Sequence, residues 1–281
     1  MNKTVYLCSI SNISSGRCSQ DCTFCTQSVK YKTDIERYYK KDIKKIVQEA
    51  VQARKNKAVG FCLVTATKSL NDKMVEFVSE ISHEIKKVEK DLALIACCGM
   101  ANKEALKEIK SAGVEVYNHN LETSKNFYHN VCTTHSWDER YETCENIKST
   151  GLALCSGGIF GLGESHEDRV SMLKSLASLN PFSVPINFYH PNDNLPLKSD
   201  VINMQEAIEC IKLSREHLPN PILMIAGGRE LVFKDKQNLI FESGANSIVI
   251  GDYLTTEGKN ASDDIKEIEN MGYEFANSRH D

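Results

Sequence analysis

The chain has 281 residues, of which 41% are hydrophobic and 26% are charged, as expected for a globular protein. Its net charge of −4 provides no general basic surface for binding nucleic acid or an anionic membrane. The longest apolar run, LALIACCGMA, is half the length that a bilayer requires, and the apolar stretch near the N-terminus is too short for a secretion signal. We therefore expect a cytoplasmic protein, in which the 11 cysteines are reduced.

Apolar strands alternate with amphipathic helices along the whole sequence. Eight strands are predicted, at 5–10, 58–66, 92–99, 114–122, 153–161, 183–190, 221–228 and 247–254. Eight helices are predicted, at 42–55, 72–87, 102–112, 138–150, 167–179, 204–217, 234–242 and 261–272. This alternation is typical of the α/β class, and eight units predict a closed TIM-type (β/α)8 barrel that forms a single domain over residues 1–281. A doubly wound open sheet is the alternative.

Three cysteines, Cys18, Cys22 and Cys25, follow the first strand in the stretch SSGRCSQDCTFCTQS. In such a barrel, the loops at the carboxyl ends of the strands carry the chemistry. A structural zinc site uses four ligands, and a disulfide framework uses an even number of cysteines in a small secreted chain. Three close thiolates without a fourth indicate a metal centre with an open position, such as a 4Fe–4S cluster in which one iron binds an external ligand.

Three further cysteines, Cys62, Cys97 and Cys155, lie on the second, third and fifth predicted strands. A single buried cysteine is usually a small hydrophobic core residue. Three of them on different strands of one barrel can converge on its interior, where thiolates suit an iron–sulfur cluster. On the third strand only one of two consecutive cysteines can face inward, and we expect this to be Cys97. The other cysteines are interpreted as non-ligands, namely Cys8, Cys98, Cys132, Cys144 and Cys210.

The spacing of the first three cysteines, with Phe24 before the last, resembles the signature of the radical S-adenosylmethionine (SAM) superfamily. Six further motifs, GFCLVTA, YNHNLETS, LCSGGIFGLGES, VPINF, AGGRE and GANSI, resemble the biotin synthase family over nearly the whole chain. The resemblance implies a radical SAM sulfurtransferase that inserts sulfur into dethiobiotin to form biotin. It also implies SAM, a 4Fe–4S cluster, a sulfur-donating 2Fe–2S cluster, a flavodoxin-type reductase as electron donor, and a homodimer.

The same resemblance assigns residues to each group. It places the 2Fe–2S cluster on Cys62, Cys97 and Cys155, with Arg229 as an unusual fourth ligand. The residues implied for the organic groups are Asn120 and Glu122 for the SAM ribose, Phe24 and Gly158 for other SAM contacts, Asn120 and Asn187 for the ureido ring of dethiobiotin, and Thr255 and Thr256 for its carboxylate tail. An asparagine amide both donates and accepts hydrogen bonds, which suits a neutral urea. For the glycine-rich run SGGIFGLGE, a strand-to-helix turn without a ligand is the alternative.

Arg229 differs from the cysteines, because a guanidinium stays protonated and offers donors rather than lone pairs. We therefore expect its charge to offset the three thiolates and its hydrogen bonds to tune the sulfur atoms, without a direct bond to iron. A salt bridge at the end of the strand is the alternative.

Two other functions are compatible with the same motifs. One is a radical SAM barrel enzyme that abstracts hydrogen without inserting sulfur and carries a single cluster. The other is a non-enzymatic iron–sulfur or zinc protein such as an electron carrier, although a carrier needs a fully ligated cluster.

Overall fold

The computed structural model describes residues 4–253 and 258–281, so the predicted substrate contacts Thr255 and Thr256 lie outside the described residues. The strands are β1 (Thr4–Asn12), β2 (Gly60–Val64), β3 (Ala93–Cys97), β4 (Val114–Asn118), β5 (Ala153–Cys155), β6 (Gly158–Phe160), β7 (Ser183–Phe188), β8 (Ile222–Ile225), β9 (Ser247–Val249) and β10 (Glu274–Phe275). The helices are α1 (Ile43–Lys55), α2 (Asp72–Val88), α3 (Lys103–Ser111), α4 (Trp137–Ser149), α5 (His166–Leu179), α6 (Met204–His217), α7 (Arg229–Phe233), α8 (Asn238–Glu242) and α9 (Ala261–Asn270).

The parallel strands form a closed barrel. They pair in the order β1-β2-β3-β4-β5-β7-β8-β9, and β9 pairs back with β1. This confirms the (β/α)8 barrel predicted from the sequence, and the closure excludes the open sheet. The short β10 adds a pairing at the first residues of β1.

The fifth predicted strand is interrupted. β5 ends at Cys155 and β6 begins at Gly158, and both segments pair with β7. Between them, a Cβ on Gly157 would lie only 1.8 Å from the Pro185 carbonyl oxygen. Only glycine tolerates this close approach. Gly157 therefore allows the backbone to leave the strand conformation between β5 and β6 while both segments stay paired with β7.

Side-chain caps begin several helices where the sequence predicts them. Asn71 accepts a hydrogen bond from the N–H of Met74 at the start of α2, and Ser136 and Glu139 form a capping box at the start of α4. The seventh predicted helix, 234–242, is shorter in the structure, where α8 covers only Asn238–Glu242 and the short α7, which was not predicted, precedes it. Among the described residues, no helix has the length and apolar character needed to cross a bilayer.

Two apolar layers result from the alternation of side chains along the strands. Phe61 and Leu63 of β2 face outward and belong to the large core between the barrel wall and the helices. Their neighbours Cys62 and Val64 face inward and belong to a small cluster inside the barrel. The barrel interior is therefore the place where inward-facing cysteines of different strands meet.

Candidate functional site

The loop between β1 and α1 carries three cysteines and is attached to the segment that follows β4. The Asp21 carboxylate accepts hydrogen bonds from the N–H groups of Thr133, at 3.0 Å, and Thr134, at 3.1 Å. The Thr23 N–H donates to the Val131 carbonyl oxygen at 2.9 Å. These bonds hold the loop at the carboxyl-terminal mouth of the barrel, where this fold places functional residues.

Cys18, Cys22 and Cys25 are partly exposed on this loop, and Phe24 packs against the outer core. Burial, together with the nearby Cys18, raises the pKa of the Cys25 thiol to about 12. A hydrogen bond with Cys132, then burial and the nearby Cys25, raises the pKa of Cys22. Grouped thiols of this kind lose their protons when a cation binds among them, so the donor set fits a metal centre.

Cys132 and His135 lie beside Cys22, a contact that the sequence analysis did not predict. One ligand atom of each of the three residues lies within 4.8 Å of the others, and Cys22 Sγ is 3.7 Å from His135 Nε2. The hydrogen bond with Cys22 is the main cause that lowers the pKa of Cys132 to about 4. The Cys-x2-His spacing in VCTTHS is the sequence signal that could have indicated this pair.

Cys62, Cys97 and Cys155 face the interior of the barrel. They belong to, or pack against, the apolar cluster there, which includes Ile95 and Val116. Burial, followed by the charges of neighbouring cysteines, raises the pKa of Cys62 well above its ordinary value. Burial also raises the pKa of Cys155 to about 12. A thiolate in apolar surroundings needs a cation, and several of them together fit an iron–sulfur cluster.

The two consecutive cysteines at the end of β3 face opposite sides of the wall. Cys97 packs against the interior cluster, whereas Cys98 is buried in the outer core. The Cys98 thiol donates to the Leu63 carbonyl oxygen at 3.8 Å. Strand alternation therefore predicts the inward-facing cysteine correctly.

Cys8 of β1 also faces the barrel interior. It belongs to the same cluster as Cys62 and Cys155, together with Met224 of β8. Burial, followed by the charge of Cys155, raises the pKa of Cys8 to about 12. The structure thus brings four thiols into the interior. The signal available in the sequence was the alternation of β1, which puts Cys8 on one face with Ile10.

Arg229 is the first residue of α7, and its side chain is completely buried. The guanidinium donates at 2.6–3.2 Å to the Tyr253 hydroxyl, the Gln237 side chain, the Val249 carbonyl oxygen and both carboxylate oxygens of Asp264. These five acceptors occupy all five N–H groups of the side chain. The assignment of Arg229 as a ligand and the expectation that it balances the thiolates stay predictions, and these contacts favour the alternative, a salt bridge.

Replacing Arg229 by methionine is expected to destabilise the fold while leaving the interior cluster able to assemble. The change leaves the buried Asp264 carboxylate unpaired, and breaking a buried pair in this way costs about 3–5 kcal/mol. The measurements are the denaturation midpoint by circular dichroism and the visible spectrum after anaerobic reconstitution.

The double variant Arg229→Met, Asp264→Leu is the matched control, since it removes both charges and should recover part of the lost stability. A midpoint unchanged by Arg229→Met, with loss of the interior cluster, would instead restore the ligand assignment.

The polar residues that follow β4 are held by Arg140 of α4. Arg140 Nη2 donates to Glu122 Oε1 at 3.0 Å, and its Nε donates to the Asn120 carbonyl oxygen at 2.5 Å. The Asn120 side chain accepts a hydrogen bond from the Gly157 N–H at 3.1 Å. Glu122 has a φ of 69°, in the left-handed region that residues with a side chain seldom adopt. Arg140 was not predicted as a site residue, because its helix has an ordinary pattern.

Asn187 of β7 and Gly158 of β6 are in direct contact. Asn187 Nδ2 donates to the Gly158 carbonyl oxygen at 3.3 Å, and its Oδ1 accepts from the Gly227 N–H at 3.0 Å. A Cβ on Gly158 would lie 2.4 Å from the Met172 sulfur. Packing against α5 is therefore sufficient to explain glycine at this position, as in the alternative interpretation of a turn without a ligand.

Two family models match the chain. Residues 12–176 match the Radical SAM superfamily, and residues 185–274 match the Biotin and Thiamin Synthesis associated domain. Methylornithine synthase superposes with a TM-score of 0.81 at 18% identity, over 98% of this chain and 84% of that one. The FeFe-hydrogenase maturase HydG from Carboxydothermus hydrogenoformans superposes with a TM-score of 0.84 at 14% identity, over 98% and 68%. At these identities the superpositions show the shared fold alone.

Several proteins named biotin synthase are similar to the chain over its full length. The protein from Aliarcobacter butzleri is 59% identical over 276 residues, which are 98% of this chain and 98% of that one. The protein from Wolinella succinogenes is 53% identical over 278 residues, which are 99% and 100% of the two chains. The chain therefore belongs to the biotin synthase family, and it is a radical SAM sulfurtransferase that uses SAM, a 4Fe–4S cluster and a 2Fe–2S cluster.

Proposed function

We propose that the chain converts dethiobiotin to biotin, and that Cys62, Cys97 and Cys155 hold the cluster that donates the sulfur. The observation that carries this proposal is a set of buried or half-buried thiols inside a barrel whose mouth carries a second set. A radical SAM enzyme that only abstracts hydrogen needs the thiols at the mouth alone. The interior thiols therefore favour sulfur insertion.

In this proposal Cys18, Cys22 and Cys25 hold the 4Fe–4S cluster. When bound, the clusters and SAM supply hydrogen-atom abstraction and sulfur, which no protein side chain offers. The loop contributes position, because the hydrogen bonds of Asp21 to Thr133 and its neighbour hold the thiols at the mouth of the barrel.

Polar side chains after β4 and on β7 bind the organic groups in this proposal. Asn120 and Glu122 bind the ribose of SAM, and Asn120 and Asn187 bind the ureido ring of dethiobiotin. The two amides are already oriented by the N–H groups of Gly157, at 3.1 Å, and Gly227, at 3.0 Å. An amide that is held in one orientation can bind a urea through its remaining positions with little further loss of side-chain freedom.

Four further contacts are proposed from the family resemblance alone. Phe24 and the backbone of Gly158 would contact SAM, and Thr255 and Thr256 would lie near the carboxylate tail of dethiobiotin.

One assay separates this proposal from its alternatives. The protein is reconstituted anaerobically with iron and isotopically labelled sulfide, and then incubated with SAM, dithionite and dethiobiotin. We expect SAM cleavage and biotin that carries the label. SAM cleavage without biotin would favour the enzyme that abstracts hydrogen only, and absence of cleavage would favour the electron carrier.

Replacing Arg140 by leucine is expected to weaken the binding of SAM, because Glu122 loses its ion pair and the Asn120 carbonyl loses its donor. A hydrogen bond to a charged group contributes about 1.5–3 kcal/mol, which corresponds to roughly a 10- to 100-fold rise in the Kd. The Kd is measured by equilibrium binding of SAM to the reconstituted protein. Lys148→Leu, near the end of the same helix, is the control, and equal Kd values for the two variants would contradict the role of Arg140.

We further propose that the chain acts in the cytoplasm as a homodimer and receives electrons from a flavodoxin-type reductase, as the family resemblance implies. We also propose that residues 1–281 form a single domain, although two family models divide them. In support, Gly158 of β6, within the first matched segment, pairs with Ile186 of β7 in the second. Residues of both segments thus belong to one sheet.

A further inference from the structure

We propose that Cys8 is the fourth protein ligand of the cluster inside the barrel, where it completes a set of four thiols with Cys62, Cys97 and Cys155. This inference rests on the proposed function, in which the other three cysteines hold a 2Fe–2S cluster. Such a cluster takes four protein ligands, so one position requires a donor that those three cysteines do not provide.

Cys8 lies next to Cys62 on the barrel wall. In the pairing of β1 with β2, Cys8 is opposite Gly60, and Ile10 is opposite Cys62. The two cysteines are therefore on adjacent strands, two residues apart along them, and both belong to the interior cluster. From the usual strand spacing and rise, their Cα atoms are about 8 Å apart. This is too far for a disulfide, which needs about 7 Å or less, and it leaves room for a metal group between the two thiols.

Cys8 lies beside a glycine and a small cavity. A Cβ on Gly60 would lie 3.3 Å from Cys8 Sγ and 3.1 Å from Ile95 Cδ1, so the glycine provides the space that the thiol occupies. A cavity of about 40 Å³ is lined by residues that include Cys8, Met224 and Ser247. The buried Ser247 hydroxyl has no hydrogen-bond partner among the described residues. The Cys8 thiol also lies 3.7 Å from the Ser9 carbonyl oxygen, so Cys8 is a buried residue that borders a small cavity with an unsatisfied polar group.

The other candidate donors near the interior are weaker or already engaged. Arg229 uses its five N–H groups on other partners. The Tyr253 hydroxyl accepts from Arg229 at 2.9 Å and donates to Glu230 at 3.0 Å. Met224 offers an uncharged thioether, which is a weak ligand. Among the described residues of the interior cluster, Cys8 is the remaining group that can become a thiolate, the usual ligand of iron–sulfur clusters.

The test isolates the interior cluster by replacing Cys18, Cys22 and Cys25 with alanine in every protein. In this parent background, Cys8 is kept or changed to alanine or serine. Cys98→Ala is the matched control, since Cys98 is also a buried cysteine but faces the outer core. Each protein is reconstituted anaerobically, desalted, checked for folding by circular dichroism, and examined by iron and sulfide analysis, visible absorption and Mössbauer spectroscopy.

With Cys8 present, we expect about two irons per chain in a site with thiolate ligands only. Cys8→Ala should lose most of this iron. Cys8→Ser, in which an oxygen replaces the sulfur, should shift the charge-transfer bands and the Mössbauer parameters of one iron. Cys98→Ala should match the parent.

Two results would overturn the inference in distinguishable ways. If both Cys8 variants match Cys98→Ala in iron content and spectra, Cys8 is not a ligand and the site of three cysteines stands. If the parent binds no iron, the interior cluster of the proposed function fails, and its fourth ligand fails with it.

Discussion

Replacing any one of Cys18, Cys22 and Cys25 by alanine should abolish the cleavage of SAM. Each of these thiols is expected to hold one iron of the 4Fe–4S cluster, so a chain that lacks one of them loses the site at which SAM is bound and reduced. The measurement is the 5′-deoxyadenosine formed under reducing, anaerobic conditions.

Two other cysteine variants make this test specific. Cys210→Ala removes a buried thiol of α6 from the outer core and should leave SAM cleavage in place. Cys132→Ala tests whether SAM cleavage needs the thiol that lies beside Cys22 and His135 but is outside the motif of three cysteines. Formation of 5′-deoxyadenosine by any of the three loop variants, at the level of Cys210→Ala, would contradict the cluster assignment.

The barrel could be predicted because its signals are local. Apolar strands, amphipathic helices and caps recur in each unit, and eight units close a sheet. Most of the predicted strands are nevertheless too long at their carboxyl ends, as for 114–122, where β4 covers only Val114–Asn118. Beyond Asn118 the pairing continues only irregularly, as an isolated bridge between Glu122 and Gly158, and the Asn120 carbonyl oxygen and the Glu122 side chain accept hydrogen bonds from Arg140. Hydrophobic periodicity does not show at which residue a strand ends and a functional loop begins.

The candidate site could be predicted only where the chain brings the residues together locally. The three loop cysteines share one segment, and strand alternation distinguishes Cys97 from Cys98. The partner of Arg229 is Asp264, which lies 35 residues away on another helix, so the sequence around AGGRE does not show that the guanidinium is already engaged. The grouping of Cys8 with the interior thiols was not predicted for a similar reason, because its neighbours in the barrel come from other strands.

Replacing Cys62, Cys97 or Cys155 by alanine should abolish biotin formation while SAM binding persists. These three thiols lie in the barrel interior, apart from the loop that is expected to bind the 4Fe–4S cluster. Their loss should remove the sulfur donor and leave the site of SAM cleavage in place. Biotin yield per chain, the Kd for SAM and the amount of 5′-deoxyadenosine are measured on the same reconstituted samples.

Cys98→Ala is the matched control for Cys97→Ala, because it changes the next residue along the chain, which faces the opposite side of the barrel wall. Its thiol contacts the Leu63 carbonyl oxygen in the outer core, so the variant should lose some stability and keep most of its biotin formation. Full activity of Cys97→Ala with loss of activity in Cys98→Ala would show that the wrong cysteine of the pair was assigned. Loss of both SAM binding and biotin formation in the three interior variants, with the fold intact by circular dichroism, would show that the two thiol sites do not act separately.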